Sequence, residues 1–92
     1  MRVTCEFHAT VRDAVGEKRI EREVSEGTTV RALLDQLDAE HDGLSPLLFD
    51  GEGRLRPNVN VLVADDPVRD ADGTELSDGD TLILAPSVAG GR

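Results

Sequence analysis

Val3, Cys5, Phe7 and Ala9 alternate with Arg2, Thr4, Glu6 and His8 at the start of the chain. A period of two predicts a strand with one face buried. After a break at Val15, Gly16 and Glu17, the stretch KRIEREV puts Ile20 and Val24 on one face with charges between them. This predicts a second strand, antiparallel to the first and closing a hairpin. The connection TVRDAVGE is long for a hairpin loop and has room for a helical turn. The period then changes. Val30, Leu33, Leu34 and Leu37 recur at i, i+3, i+4 and i+7, the stripe of an amphipathic helix. Thr29 is placed to N-cap it, Gly43 to stop it, and Pro46 follows just beyond.

LSPLLF supplies further apolar contacts, and DGEGRLRP reads as a loop with two turn glycines. Val59, Val61 and Val63 then alternate with Asn60, Leu62 and Ala64, giving a third strand. The polar stretch 65–80 is turn-rich, with one short edge strand near Val68. TLILA is the last strand, with Leu82 and Leu84 on one face and Thr81, Ile83 and Ala85 on the other. Strand, strand, helix, strand, short strand, strand is the order of a β-grasp, an α+β fold in which a mixed sheet of four to five strands folds around one main helix. The first and last strands of that fold pair in parallel at the sheet centre. One domain over 1–85 is expected, followed by a flexible tail, 86–92, reading PSVAGGR.

Composition narrows what this domain can be. Two Phe and no Trp or Tyr leave the core to Val, Leu and Ile. Cys5 is the single cysteine, which excludes an internal disulfide and a cysteine-ligated iron–sulfur or zinc site. No run approaches the ~20 apolar residues of a membrane span, and the N-terminus shows no signal-peptide core, so a cytoplasmic protein without membrane contact is expected. The net charge is −9, from 19 acidic and 10 basic residues. Direct nucleic-acid binding is disfavoured, because phosphate neutralisation needs clustered Lys and Arg. Eleven of the acids are Asp and nine of the bases are Arg, leaving Lys18 as the sole lysine. An acidic, Asp-rich, lysine-poor surface suits a salt-saturated cytoplasm, where screening tolerates self-repulsion.

No catalytic constellation is visible, and no metal site or bound cofactor is expected. His8 and His41 fall on different elements, and His41 at a helix end reads as a dipole contact. Cys5 lies on the core face of its strand and reads as a small buried hydrophobe. DGEG and DGD carry glycines, but neither opens a helix after a strand as a phosphate cradle does. What the fold leaves unexplained is Gly90-Gly91. Glycine loses more backbone freedom on ordering than any other residue, so a fold gains nothing from a terminal pair. A run without side chains can enter a narrow channel, however, and it leaves a glycine carboxylate open to attack on ATP.

FHATVRDAVGE, TTVRALLDQL, RPNVNVLV, LSDGDTLILAP and the closing VAGG together resemble the ubiquitin-like sulfur carriers. That family comprises the molybdopterin synthase small subunits, the thiazole sulfur carriers and the small archaeal modifiers. The match covers nearly the whole chain in order, and with the composition it points to a haloarchaeal member. The resemblance implies a protein that is not itself an enzyme, although it could serve as the small subunit of a molybdopterin synthase. It implies that Gly91 is adenylated, with ATP used in trans, by an activating enzyme of the ubiquitin-activating type. The activated glycine then becomes a thiocarboxylate, a sulfur donor for molybdopterin or tungstopterin cofactor or for tRNA thiolation, or is joined to lysines of target proteins. An inert tail on a β-grasp interaction module is the alternative.

The chain departs from the family pattern at three places. Arg92 follows Gly91 and must be removed first, for which the family precedent is a JAMM-type protease. Ser87 stands where a second proline is common, so one fixed φ angle is lost. His8 and Ala85 stand where aromatics face a large synthase subunit. Strand alternation puts His8, Leu62, Ile83 and Ala85 on one outer face, a candidate docking surface for the activating enzyme or a molybdopterin synthase large subunit. Lys18 is the only lysine through which self-conjugation could run.

Overall fold

Alternation survives folding in the first strand, β1 (Arg2–Phe7), where Val3, Cys5 and Phe7 have no solvent exposure while Arg2 is exposed. A computed structural model describes residues 1–41 and 43–86 of the chain. The connection expected to hold a single helical turn is a seven-residue helix, α1 (Ala9–Val15). Val11 and Val15, four apart, both point into the core, and Gly16 closes the helix in a left-handed conformation at φ 88°, its N–H donating to the carbonyl of Arg12 at 2.8 Å. The second strand, β2 (Arg19–Glu23), pairs antiparallel with β1, Cys5 opposite Ile20.

The predicted main helix is α2 (Val30–Glu40). Thr29 caps it as expected, its hydroxyl accepting from the amide of Ala32 at 3.1 Å. Val30, Leu33, Leu34 and Leu37 are fully buried against Val3, Phe7, Leu82 and Leu84 of the sheet. The N-terminal amides of α2 beyond the reach of its cap are met from the polar loop: Val30 donates to the carbonyl of Thr74 and Arg31 to that of Ala71. LSPLLF forms a one-turn helix, α3 (Ser45–Leu48), with Pro46 at its N-terminal turn, where a missing N–H does no harm.

The third strand, β3 (Val59–Val63), turns tightly into β4 (Asp66–Pro67), two residues before the predicted edge-strand position. Ala64 and Asp65 make that turn with φ of 51° and 70°, both positive as a two-residue hairpin loop requires. The final strand, β5 (Thr81–Pro86), extends one residue beyond the boundary drawn from the sequence, Pro86 standing opposite Val59. The sheet order is β2-β1-β5-β3-β4, with β1 and β5 parallel and side by side at the centre. This is a β-grasp. Residues 87–92, with Gly90, Gly91 and Arg92, lie outside the described residues.

Candidate functional site

Because β1 and β5 run parallel, they finish at the same end of the sheet. His8 donates its amide to the carbonyl of Leu84 at 3.1 Å and N-caps α1 by backbone conformation alone, its side chain making no cap bond. The ring therefore stays on the outer face, its Nε2 3.8 Å from Glu6 Oε1. Alternation does the rest: the core-facing set of β5 is Leu82 and Leu84, so Thr81, Ile83 and Ala85 face away from α2.

Register brings the four predicted residues together. Leu62 is opposite Ile83, Asn60 is opposite Ala85, and Ile83 is opposite Glu6 on the other side. His8, Leu62, Ile83 and Ala85 are all partly buried. Across the strands one row runs Pro67, Leu62, Ile83, Glu6 and Arg19. Glu6 Oε2 accepts from Arg19 Nη2 at 2.8 Å, and that pair borders the apolar patch on the β2 side. Sequence reading put Glu6 on the outer face but did not include it, Arg19 or Pro67 in the patch. Neighbours across a sheet depend on register, which period-two counting within one strand does not give.

The remaining candidates are placed as follows. Cys5 is fully buried, and burial pushes its thiol up to about 11, with the charge of Arg22 pulling weakly the other way. That is the state of a core side chain rather than a nucleophile. His41 is the C-cap of α2, its backbone N–H donating to Leu37. Lys18 is exposed, in the short connection between α1 and β2. Among the described residues no cluster of His, Cys, Asp or Glu could hold a metal ion, and no helix is long and apolar enough to cross a membrane.

A cleft of about 290 Å³ opens elsewhere, beside the first turn of α2, lined by Arg31, Arg54, Arg69 and Asp70 among others. Arg31 is already committed there. Its Nη1 donates to the carbonyl of Gly53 at 2.7 Å, its Nε to Asp35 at 3.2 Å, and its guanidinium stacks 4.3 Å from the Phe49 ring. These contacts pin the loop at 50–56 to α2 and fix one wall of the cleft, the other being formed by residues 69–72. Asp50 serves the same loop: amides of Arg54 and Glu52 hold its carboxyl below the usual range.

Comparison with known proteins bears on this geometry. The model of the ThiS family matches residues 5–91. The small archaeal modifier protein 3 of Haloferax volcanii is 42% identical over 99% of this chain and 100% of its own length. The molybdopterin synthase sulfur carrier subunit of Mycobacterium tuberculosis is 37% identical over 99% of each chain. Among solved structures, SAMP1 of Haloferax volcanii superposes with a TM-score of 0.86 at 27% identity, covering 99% of this chain and 100% of that one. The BexX/CysO complex of Amycolatopsis orientalis contains a chain that superposes with a TM-score of 0.78 at 35% identity, covering 97% of this chain and 99% of that one.

Proposed function

The chain belongs to the ThiS family of small ubiquitin-like carriers and modifiers, and on that premise we propose that it is activated at Gly91 once Arg92 has been removed. The carboxylate of Gly91 attacks the α-phosphate of ATP on an activating enzyme, pyrophosphate leaves, and an acyl-adenylate results. A sulfur nucleophile then displaces AMP to leave a thiocarboxylate, or a lysine amine displaces it to leave an isopeptide bond. The thiocarboxylate would serve molybdopterin or tungstopterin synthesis or tRNA thiolation. The chain acts in these steps as substrate and carrier, consistent with relatives that are carriers and modifiers by name.

One observation carries the reading. The last described residue, Pro86, ends a central strand, and the apolar patch of Leu62, Ile83 and Ala85 lies on the outer face of that strand and its neighbour β3. An enzyme seated on the patch therefore lies against the central strand that Pro86 ends. The CysO of the BexX/CysO complex and the sulfur carrier subunit of a molybdopterin synthase, each named with a protein partner, support a partner in general. We assign the patch, with His8 at its edge, to the activating enzyme or to a molybdopterin synthase large subunit, and removal of Arg92 to a JAMM-type protease.

Intact mass spectrometry of the protein purified from its host tests the proposal. Expected is loss of Arg92 together with a carboxylate-to-thiocarboxylate increment, or Gly-Gly remnants on lysines of other proteins. The first outcome assigns sulfur transfer and the second conjugation. A uniform full-length mass without adducts, and no remnants, would refute the carrier reading in favour of an interaction module. Deleting Gly90 and Gly91 should abolish activation and leave the melting temperature unchanged.

A further inference from the structure

Opposite charges line the cleft beside α2 without meeting each other. Arg31, Arg54 and Arg69 come to it from three segments, the helix and the loops at 50–56 and 69–72, and Asp70 and Asp72 stand on the second loop. None of these guanidiniums pairs with either aspartate. Arg31 pairs with Asp35, and Arg54 with Asp50 and Glu52. Arg69 and Asp72 make no ion pair or hydrogen bond among the described residues. The Asp70 carboxylate accepts the amide of Gly73 through Oδ1 at 3.1 Å, which leaves Oδ2. The end of α2 offers no donors of its own here, since the amides of Val30 and Arg31 are bonded to loop carbonyls.

One residue holds the two walls at their separation. The Arg31 amide donates to the carbonyl of Ala71 at 3.0 Å, and its side-chain Nη1 donates to the carbonyl of Gly53 at 2.7 Å. With Nε on Asp35 and the Phe49 ring stacked against it, the guanidinium is fixed, and its Nη2 is left over. Gly53 stands at φ 81°, and a Cβ there would lie 3.6 Å from Nη2, so the missing side chain keeps that nitrogen open. Leu55, packed against the core, and the buried Ala71 add apolar lining. At about 290 Å³ the cleft is at the small end for ligand clefts, ~300 Å³ and upward, and suits a compact molecule rather than a nucleotide.

We propose that this cleft binds a free aliphatic α-amino acid. Arg31 Nη2 and Arg69 take its carboxylate, Asp72 and Asp70 Oδ2 take its ammonium, and its side chain lies against Leu55 and Ala71. A guanidinium matches the planar carboxylate through paired N–H donors. A ligand with both charges satisfies both sets of residues. An anion alone is brought against the two aspartates, and an amine alone against the three arginines. The net charge of −9 repels acidic ligands, and an amino acid, which carries no net charge, escapes that repulsion. Because Arg31 is already immobilised, binding orders little besides Arg69 and Asp72. The site asks nothing of Gly91 and lies apart from the outer patch of Leu62, Ile83 and Ala85.

Titration of the isotope-labelled full chain with L-valine, followed by NMR at backbone amides and arginine Nε–H groups, tests the inference. Isovalerate, which lacks the ammonium, and isobutylamine, which lacks the carboxylate, keep the branched side chain and serve as comparisons. Expected are shifts confined to residues 53–55 and 69–72 and to the Nε–H groups of Arg31 and Arg69. The dissociation constant for valine should be of order 1 mM, with each analogue about tenfold weaker or worse. Arg69 and Asp72 hold nothing in the described fold, so Arg69→Gln and Asp72→Asn should leave the rest of the spectrum unchanged. The first should erase the preference for valine over isobutylamine, and the second the preference over isovalerate. An analogue that binds as tightly as valine, shifts centred away from the cleft, or unchanged preferences in either variant would each overturn the inference. So would the absence of any shift at about tenfold above that concentration. None of these outcomes bears on adenylation at Gly91, which is decided by the mass of the native protein.

Discussion

Truncating the outer patch gives the most direct measure of whether it docks an enzyme. Ile83→Ala and Leu62→Ala each remove three carbons, worth about 2.4 kcal/mol if fully transferred from water. Both side chains are already partly buried in the free chain, Ile83 between Leu62 and Glu6. About a third of that value is then left to be gained against a partner, ~0.8 kcal/mol, or close to fourfold in affinity. The two residues are register partners on one face. If both bury against the same surface, the additive expectation for the double variant is about fifteenfold, and a measured departure from it reports the coupling between the two side chains. The assay is ATP–pyrophosphate exchange on the activating enzyme, reading KM for the carrier chain against Vmax. With every chain prepared to end at Gly91, a rise in KM with Vmax held is expected, since the reactive terminus is unchanged. Each truncation also lowers stability by about 1–2 kcal/mol, so Leu55→Ala serves as control: Leu55 is likewise partly buried, against the core, but sits in the loop after α3. An unchanged KM in the double variant, or an equal rise in the Leu55 control, would refute the assignment of the patch.

Thr29→Ala removes the hydroxyl that accepts from Ala32 and should destabilise by about 1 kcal/mol, read as a melting temperature lowered by roughly 4–8 °C, with Thr29→Ser restoring it. Cys5 should resist thiol reagents at pH 8 in the folded chain and react only on unfolding. Its thiol is raised from 9.0 to about 11 by burial, so the folded chain holds that proton longer than the unfolded one does. The stability this represents is therefore present below pH 9 and lost as pH rises toward 11, which denaturant midpoints across that window would show. At a net charge of −9, stability should rise as salt is raised toward molar concentration, and a flat or falling midpoint would contradict self-repulsion as the dominant surface term.

Periodicity made most of this legible in advance. The alternation of β1, β3 and β5 and the stripe of α2 are local consequences of which residues must leave water. They survived folding because every buried side chain in them is aliphatic, Phe7, or the small thiol Cys5. Shorter elements were less legible for the same reason. Val11 and Val15 alone signal α1, too few positions to separate a helix from a loop with two anchors, and α3 has a single turn. The Ala64–Asp65 turn carries no glycine to announce its positive φ angles.

By itself the sequence determined the strand and helix order, the aliphatic core, the cap at Thr29, the outer-face character of His8, Leu62, Ile83 and Ala85, and the Gly-Gly pair near the terminus. Tertiary structure alone decided what stands beside what. It set the register that borders the apolar patch with the Glu6–Arg19 pair and joins Pro67 to Leu62. It extended β5 through Pro86 by pairing it with Val59, and it brought Lys18 to the end of the sheet where β5 finishes. The physical reason is that burial acts on each residue separately and leaves its mark along the chain. Adjacency across a sheet arises from hydrogen bonds between strands up to 77 positions apart, as Thr4 and Thr81 are, and no local pattern records those.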